Sequence, residues 1–269
     1  MPELISIVMA SHNRKRQLLN SLFSIQHTKE DYPIEVIVID DNSDETLSIK
    51  ELEMFDFPLH YKIRKDRTHQ DPVIPNNIGF DMAKGDVILM SCGEILFMGH
   101  IIPHVFNYID HSKYLCYSTY SIGWDVYNQI NELDWKSPEV INGVKDIISP
   151  MREYPEYESD CQTGWYVHPT FKPLALSFCA GLTRANMEIL SGYDERFVEG
   201  VGYADNDFLR RVKDLQLNIE MISDPFCIHQ PHSATNYSDV DKVKRNNVLF
   251  DELASTHNVK AEQNIIYRR

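Results

Sequence analysis

The sequence predicts an α/β protein whose mostly parallel central sheet is flanked by helices. Uninterrupted apolar segments, such as residues 87–90, are typical of strands buried on both faces of such a sheet. Amphipathic segments of helical periodicity lie between them, so strand and helix alternate along the chain. Polar residues follow directly after the apolar segments, at the edge of a parallel sheet where ligands bind.

The first hundred residues contain the regular alternation. The predicted strands cover residues 4–10, 35–39, 59–63 and 87–90, and the predicted helices cover 18–25, 46–54 and 75–84. Ser11 and Asn13 supply turn and N-cap chemistry after the first strand. Gly85 is predicted to cap the third helix.

The second part of the chain is less regular. We predict a helix at 100–108, a strand at 114–120, irregular structure at 124–173, a strand at 174–180 and a turn at 181–184. Short helical periodicity follows at 185–191, and residues 205–215 form an amphipathic helix. A last strand is predicted at 219–222, and the tail beyond residue 237 is predicted to be helical.

Composition narrows the class of protein. The chain has 269 residues, enough for one large domain, and a formal net charge of −14 argues against nucleic-acid binding. Its 5 cysteines form no CxxC pair, which favours a reducing compartment over a disulfide framework or zinc site. No apolar segment approaches the length of a membrane span. We therefore expect a soluble, cytoplasmic protein without an integral membrane segment.

Four motifs in the first part of the chain resemble glycosyltransferase family 2. They are IVMASHNR at 7–14, VIVIDDNS at 36–43, NIG at 77–79 and AKGD at 83–86. AGLTR at 180–184, GYDERF at 192–197 and GYADNDF at 202–208 are similar to the acceptor half of chondroitin-polymerase and galactosyltransferase C-terminal regions. The resemblance covers about residues 4–232 and implies the GT-A fold of inverting, nucleotide-sugar-dependent enzymes.

The resemblance also implies an organisation. Residues 1–269 would form a single domain, with a nucleotide-sugar half at about 1–98, an acceptor half at about 99–237 and a helical tail at 238–269. The nucleotide would lie against a set of residues at the strand ends, namely Ala10, Ser11, Asn13, Arg14, Asp41, Asn77, Cys92 and Gly93. Asp41 would read the uracil or its counterpart, and Asn77 would lie near the ribose or diphosphate.

The catalytic positions follow from the same resemblance. Asp205 would be the general base, and Glu94 would bind a divalent metal together with His229 or His232. Expected acceptor-binding residues are Trp165, Gly181 and Asp207. Two positions depart from the family pattern: Cys92 replaces the first acid of the Asp-x-Asp metal motif, and Ala204 replaces the glutamate before the base.

The chemistry fits these residue types. An acceptor hydroxyl loses its proton as it attacks the anomeric carbon, so a carboxylate must lie within hydrogen-bond reach. The leaving nucleoside diphosphate gains negative charge, which Mn²⁺ or Mg²⁺ neutralises. Oxygen ligands suit both ions, and a histidine ligand favours Mn²⁺.

Structural roles remain open for the same residues. Asp41 lies in a sequence typical of turns, and Asp205 and Asp207 suit the first turn of a helix. Either histidine could be hydrogen-bonded within the fold, and Trp165 could fill a small core instead of stacking on a sugar. Arg14 begins a basic cluster that would face either a diphosphate or solvent.

Taken together, the sequence predicts an inverting transferase that moves a hexose or N-acetylhexosamine from a nucleotide sugar, with a UDP-sugar favoured. The acceptor would be a saccharide or glycoconjugate hydroxyl. One alternative is a degenerate GT-A domain that binds nucleotide sugar or glycan without catalysis, as the replacements at Cys92 and Ala204 allow. Another is a metal-independent transferase in which basic side chains replace the cation.

Overall fold

The computed structural model describes residues 1–67, 69, 71–151, 163–233 and 239–263. Within these ranges the chain folds into one mixed sheet flanked by helices, which confirms the predicted fold class. The strands are β1 Ile5–Ser11, β2 Ile34–Asp40, β3 Leu59–Ile63, β4 Val87–Cys92, β5 Ile95–Met98, β6 Lys113–Ser121, β7 Gly164–Val167, β8 Cys179–Thr183 and β9 Asn218–His229. The α-helices are α1 Lys15–Thr28, α2 Ile49–Leu52, α3 Val73–Met82, α4 Ile101–Tyr108, α5 Trp124–Asn131, α6 Val140–Ile148, α7 Arg184–Leu190, α8 Ala204–Asp214 and α9 Val240–Ala254.

The strands lie in the order β3-β2-β1-β4-β8-β6-β9-β5, and β7 pairs with β6. The first four strands in this order are parallel, as the alternation of strand and helix predicts. Strand β8 runs antiparallel between β4 and β6, while β9 runs parallel to β6. The carboxyl ends of β1, β2, β4, β6 and β9 therefore meet at one edge of the sheet.

Apolar side chains cover both faces of this sheet. One core packs β1, β2 and β4 against α1 and α4, and another packs the opposite face against α3 and α8. Strands β1 and β2 are buried along their whole length. This accounts for the lack of alternation in their sequences, because neither face meets water.

Several elements differ from the sequence prediction. The region 124–173 is not irregular throughout, since α5, α6 and β7 lie within it around a third core that includes Trp135 and Trp165. The predicted strand at 174–180 begins later, at Cys179, and includes residues 181–183 of the predicted turn, while Arg184 begins α7. Residues 152–162, with Cys161 among them, lie outside the described ranges.

Gly85 has a different role from the predicted helix cap. Helix α3 ends before Ala83, and a side chain on Gly85 would lie 2.6 Å from the carbonyl oxygen of Leu4. Gly85 also donates its N–H to Ser6 Oγ. The glycine is required because the chain passes close to β1 as it enters β4.

No helix of the described ranges is long and apolar enough to cross a bilayer.

Candidate active site

A buried carboxylate lies at the carboxyl edge of the sheet, directly after β4. Glu94 is 3% exposed, and Nε2 of His229 and of His232 lie 3.6 and 3.5 Å from its Oε1. The sheet explains this convergence, since β5 pairs with β9 and places Ile95 opposite His229. The structure thus brings together the three residues expected to bind a metal, which we call the Glu94–His229–His232 trio.

Arg14 supplies a positive charge to the same carboxylate. Its Nη1 donates to Glu94 Oε1 at 2.6 Å, and its Nη2 lies 3.2 Å from His232 Nδ1. Burial raises the pKa of Glu94, but the charges of Arg14, His229 and His232 outweigh it and hold the pKa below its ordinary value. Glu94 is therefore ionised at neutral pH despite its burial.

The trio has the chemistry of a divalent-cation site. One ligand atom from each residue lies within 4.8 Å of the others. Among the described residues, Glu94 Oε2 and His229 Nδ1 are buried without a hydrogen-bond partner, which is costly unless a ligand satisfies them. Burial lowers the pKa of His229 to about 4, so the imidazole is neutral and able to bind a metal. One carboxylate and two imidazoles fit Mn²⁺ better than Mg²⁺, which prefers oxygen ligands alone.

A buried amide network positions the trio. Gln230 donates its Nε2 to the carbonyl oxygens of Glu94 and Gln17, at 3.1 and 3.0 Å, and accepts from Asn20 Nδ2 at 3.0 Å. Gln17 donates to the carbonyl oxygen of Pro231, between the two histidines. Helix α1 is thereby attached to the end of β9 and to Glu94. These amides were missed because no motif marks them in the sequence.

A second acid lies in the first turn of α8. Asp205 Oδ1 accepts hydrogen bonds from Ser177 Oγ at 2.6 Å and from the Tyr193 hydroxyl at 3.1 Å. Burial raises the pKa of Asp205, and the two hydrogen bonds only partly oppose this. A carboxylate of raised pKa that is held by two hydroxyl groups is suited to accept a proton.

Asp71 is a neighbouring acid that was missed in the sequence. Its Oδ1 accepts from the Val73 N–H at 3.2 Å at the start of α3. Burial and the negative charge of Asp205 raise the pKa of Asp71 to about 7, against the opposing effect of hydrogen bonds from the Val73 and Gly202 backbone. Asp71 is therefore an acid that holds its proton to higher pH than an ordinary aspartate, in part because of the charge of Asp205.

The two acidic centres lie at the same edge. Cys92 ends β4 and is half-buried, while Cys179 opens β8 opposite Ser91, so Ser177 lies just beyond the end of β4. Burial raises the pKa of the Cys92 thiol, and the charges of Glu94 and Asp205 raise it further. Cys92 is therefore a neutral group within the electrostatic reach of both carboxylates.

Asp41 is held by two arginines that the sequence reasoning did not identify. Its Oδ1 accepts from Arg64 Nη1 at 2.6 Å and its Oδ2 from Arg67 Nε at 3.2 Å. The preceding Asp40 is a turn residue, which accepts from the Ser43 N–H and the Tyr61 hydroxyl. Arg64 and Arg67 give this acidic protein a local positive charge at the end of β2.

The other expected nucleotide residues lie at the end of β1 and in the loops that follow β1 and β4. Ala10 and Ser11 end β1, and a side chain on Gly93 would lie 3.0 Å from Ser11 Cβ, so the close approach of the β1 and β4 ends requires glycine. Asn13 has φ +51°; its side chain donates to the Asp44 carboxylate and accepts from the Asp44 N–H, which joins the loops that follow β1 and β2.

Asn77 lies inside the protein behind the second acid. It is 1% exposed, accepts from the Tyr193 N–H at 2.8 Å and donates to the Tyr193 carbonyl oxygen at 2.9 Å. This placement favours a role in positioning Tyr193, which bonds to Asp205, over direct contact with a ribose.

The three expected acceptor residues are also buried. Asp207 is 0% exposed and bonds to Arg210 and Arg211, both at 2.7 Å. Trp165 packs on Tyr120 in the third core, and Gly181 lies within β8. These placements favour structural roles for all three. The sequence therefore predicted no exposed residue for binding the acceptor.

A family model for glycosyl transferase family 2 matches residues 6–173. The uncharacterized glycosyltransferase YfnE of Bacillus subtilis is 23% identical in an alignment of 274 positions that covers 90% of this chain and 68% of that protein. The residues matched by the family model extend from β1 to β7, and therefore include the loops that hold Arg14, Asp41 and Glu94.

Solved structures show the same fold. S. aureus TarS in complex with UDP-GlcNAc has a TM-score of 0.62 at 15% identity, over 98% of this chain and 69% of that chain. The mannosyltransferase PcManGT from Pyrobaculum calidifontis, in complex with GDP-Man and Mn²⁺, has a TM-score of 0.57 at 14% identity, over 95% of this chain. The present chain spans 64% of the length of that mannosyltransferase. The GT-A fold is confirmed, and the chain belongs to glycosyl transferase family 2.

Proposed function

We propose that this glycosyltransferase moves a hexose or N-acetylhexosamine from a nucleotide sugar, with a UDP-sugar favoured, to a hydroxyl of a saccharide or glycoconjugate. The observation that carries the proposal is the pair of carboxylates at one sheet edge, buried Glu94 beside Arg14 and half-buried Asp205 with hydroxyl donors. The complexes of TarS with UDP-GlcNAc and of PcManGT with GDP-Man support a nucleotide-sugar donor.

Asp205 is the proposed general base. The acceptor O–H gives its proton to the Asp205 carboxylate while its oxygen bonds to the anomeric carbon. The bond from that carbon to the diphosphate oxygen breaks on the opposite side, and its electron pair leaves with the diphosphate, which inverts the anomeric centre. Ser177 and Tyr193 hold the Asp205 carboxylate in place for this proton transfer.

The donor's diphosphate is proposed to lie beside the trio. Glu94, His229 and His232 would hold Mn²⁺ or Mg²⁺, and the cation, when bound, would offset the charge of the leaving diphosphate. The loops after β1 and β2 would form the nucleotide site, with the Arg64 and Arg67 guanidinium groups beside Asp41. The half after residue 98 would supply the acceptor side.

Turnover of a donor panel tests the proposal. UDP-, GDP-, CDP- and dTDP-sugars are incubated with Mn²⁺, and release of nucleoside diphosphate is measured for wild type and Asp205→Asn. We expect turnover of one donor class and a loss of about 10²–10⁴-fold in the variant. Asp125→Asn, an exposed first-turn acid of α5, is the matched control and should turn over the donor as wild type does.

The same panel separates the alternatives. Turnover that persists in EDTA supports a metal-independent transferase, for which Arg14 on Glu94 is the specific observation. Nucleotide binding without turnover of any donor supports a degenerate binding domain. Equal turnover by wild type and Asp205→Asn contradicts the assignment of the base.

A further inference from the structure

The Arg14 guanidinium contacts two of the three residues of the trio. Its Nη1 lies 2.6 Å from Glu94 Oε1, and its Nη2 lies 3.2 Å from His232 Nδ1. Both histidine Nε2 atoms approach that same Glu94 oxygen, at 3.6 and 3.5 Å. A metal ion bound by Oε1 and the histidines would therefore share this oxygen with Arg14.

Electrostatics disfavours such sharing. Glu94 is the single carboxylate of the trio, because Cys92 stands where its family would supply a second acid. A guanidinium remains protonated in proteins, so Arg14 cannot reduce the repulsion by losing a proton. The side chain of Glu94 is 4% exposed and that of Arg14 is 22% exposed. Solvent therefore only partly screens the repulsion between the Arg14 guanidinium and a divalent ion bound at Glu94.

The local backbone permits Arg14 to move. Arg14 immediately precedes α1 and makes no side-chain capping hydrogen bond to the helix. Its described contacts are those with Glu94 and His232, so release requires no break in the helix or the sheet. By contrast, the amide network of Gln230 holds the Glu94 backbone in place whichever cation is bound.

We propose that Arg14 is a tethered cation that competes with the divalent ion for the Glu94–His229–His232 trio. The inference rests on the proposed function and specifies how its cation site is regulated. Without a divalent ion, Arg14 neutralises Glu94; when the ion binds, Arg14 leaves Glu94 and is free to pair with an anionic ligand. Nucleotide-free enzyme should therefore bind Mn²⁺ weakly.

The test is titration with Mn²⁺ alone, with free Mn²⁺ measured by electron paramagnetic resonance. Arg14→Gln removes the charge, and its Mn²⁺ affinity should be on the order of tenfold higher than that of wild type. Arg16→Gln is the matched control, because Arg16 donates to the side chain and backbone of Asn131 instead of the trio. Its affinity should equal that of wild type.

Arg14→Lys keeps the positive charge, so its Mn²⁺ affinity should stay near that of wild type. Equal or weaker Mn²⁺ binding by Arg14→Gln would overturn the competition, as would a lysine variant that binds as tightly as Arg14→Gln. Thermal melts of each variant establish that the fold is intact, and Arg14→Ala, which also removes the charge, replaces Arg14→Gln in the comparison should the glutamine variant be unstable.

Calorimetric binding of UDP at saturating Mn²⁺ keeps the proposed function separate. Binding of UDP by wild type and Arg14→Gln, with equal Mn²⁺ affinities, would overturn the competition and leave the donor site standing. Tighter Mn²⁺ binding by Arg14→Gln, with no nucleotide bound by any variant, would support the competition and count against the proposed donor.

Discussion

The two carboxylates of the site, buried Glu94 and half-buried Asp205, have opposite electrostatic surroundings. Glu94 has Arg14, His229 and His232 around it, and their charges hold its pKa below the ordinary value despite burial. Asp205 has neutral hydroxyl donors, and burial raises its pKa. One carboxylate is thus kept ionised for a cation, and the other is made more basic.

This difference shows that neighbours, more than burial, assign roles to acids in one site. It also bears on the two acidic residues of the family motifs that this chain lacks. With Cys92 and Ala204 in their places, Glu94 and Asp205 each lack the adjacent acid of the family motif and are assisted by different sets of partners. At Glu94 the partners are a guanidinium and imidazoles, and at Asp205 they are Ser177 and Tyr193.

The largest expected effect concerns the cation centre. His229→Asn removes a nitrogen from the trio, and we expect Mn²⁺-dependent UDP binding to weaken by about 10–100-fold. His100→Asn is the control, because the side chain of His100 is 69% exposed beside Glu30. Calorimetry measures the UDP affinity of both variants with Mn²⁺ present. An unchanged affinity in His229→Asn would show that this histidine does not contribute to the cation site.

The amide network behind the cation centre is the next test. Gln230→Leu removes the buried side-chain hydrogen bonds that Gln230 makes with Asn20, Gln17 and Glu94, so we expect a loss of about 2–3 kcal/mol in the free energy of unfolding. Gln129→Leu on the exposed face of α5 should change stability little. Urea denaturation measures both, and equal effects would show that the network adds no stability.

At the base centre, Asp71 should make stability depend on pH. Its pKa is raised to about 7 in the folded protein, so ionisation costs stability as pH rises from about 4 to 7. Asp71→Asn removes that cost while its amide oxygen still accepts from Val73. We expect the variant to be about 1–2 kcal/mol more stable than wild type at pH 8 and equal to it at pH 4. Thermal melts at both pH values would contradict this if the difference were the same.

The smallest expected effect concerns Tyr193. Tyr193→Phe removes one hydroxyl donor to Asp205, which raises the pKa of the base further. Because the base must be ionised, the fall in rate at acid pH should move to higher pH by about half a unit to one unit. Tyr108→Phe, at a tyrosine that is 55% exposed, is the control. If the acid side of the pH–rate profile did not move, Tyr193 would have no influence on the pKa of Asp205.

The sequence was most informative where local pattern and chemistry coincide. Buried parallel strands leave long apolar segments, so β1, β2 and β4 were predicted within a few residues, and the fold class with them. The trio could be anticipated because Glu94 follows a buried strand and because the family resemblance implies a histidine ligand after the last strand. Its convergence depends on β5 pairing with β9, a contact between distant segments that local pattern does not encode.

The rest of the site depends on tertiary partners. Asn77 and Asp207 looked like ligand-binding residues, yet both are buried among polar groups of the fold. Asp71, Arg64 and Arg67 lie between β3 and α3, where no periodicity marks a functional side chain. Such residues become visible only when the loops at the sheet edge are assembled.

The comparison between the two carboxylates is tested most directly by measuring UDP affinity, with Mn²⁺ present, in Asp205→Asn and Glu94→Gln side by side. We predict that Asp205→Asn binds UDP as wild type does, whereas Glu94→Gln loses the Mn²⁺-dependent part of the affinity. Glu188→Gln, an exposed acid of α7, is the control. Equal loss of UDP affinity in both variants would contradict separate roles for the two acids.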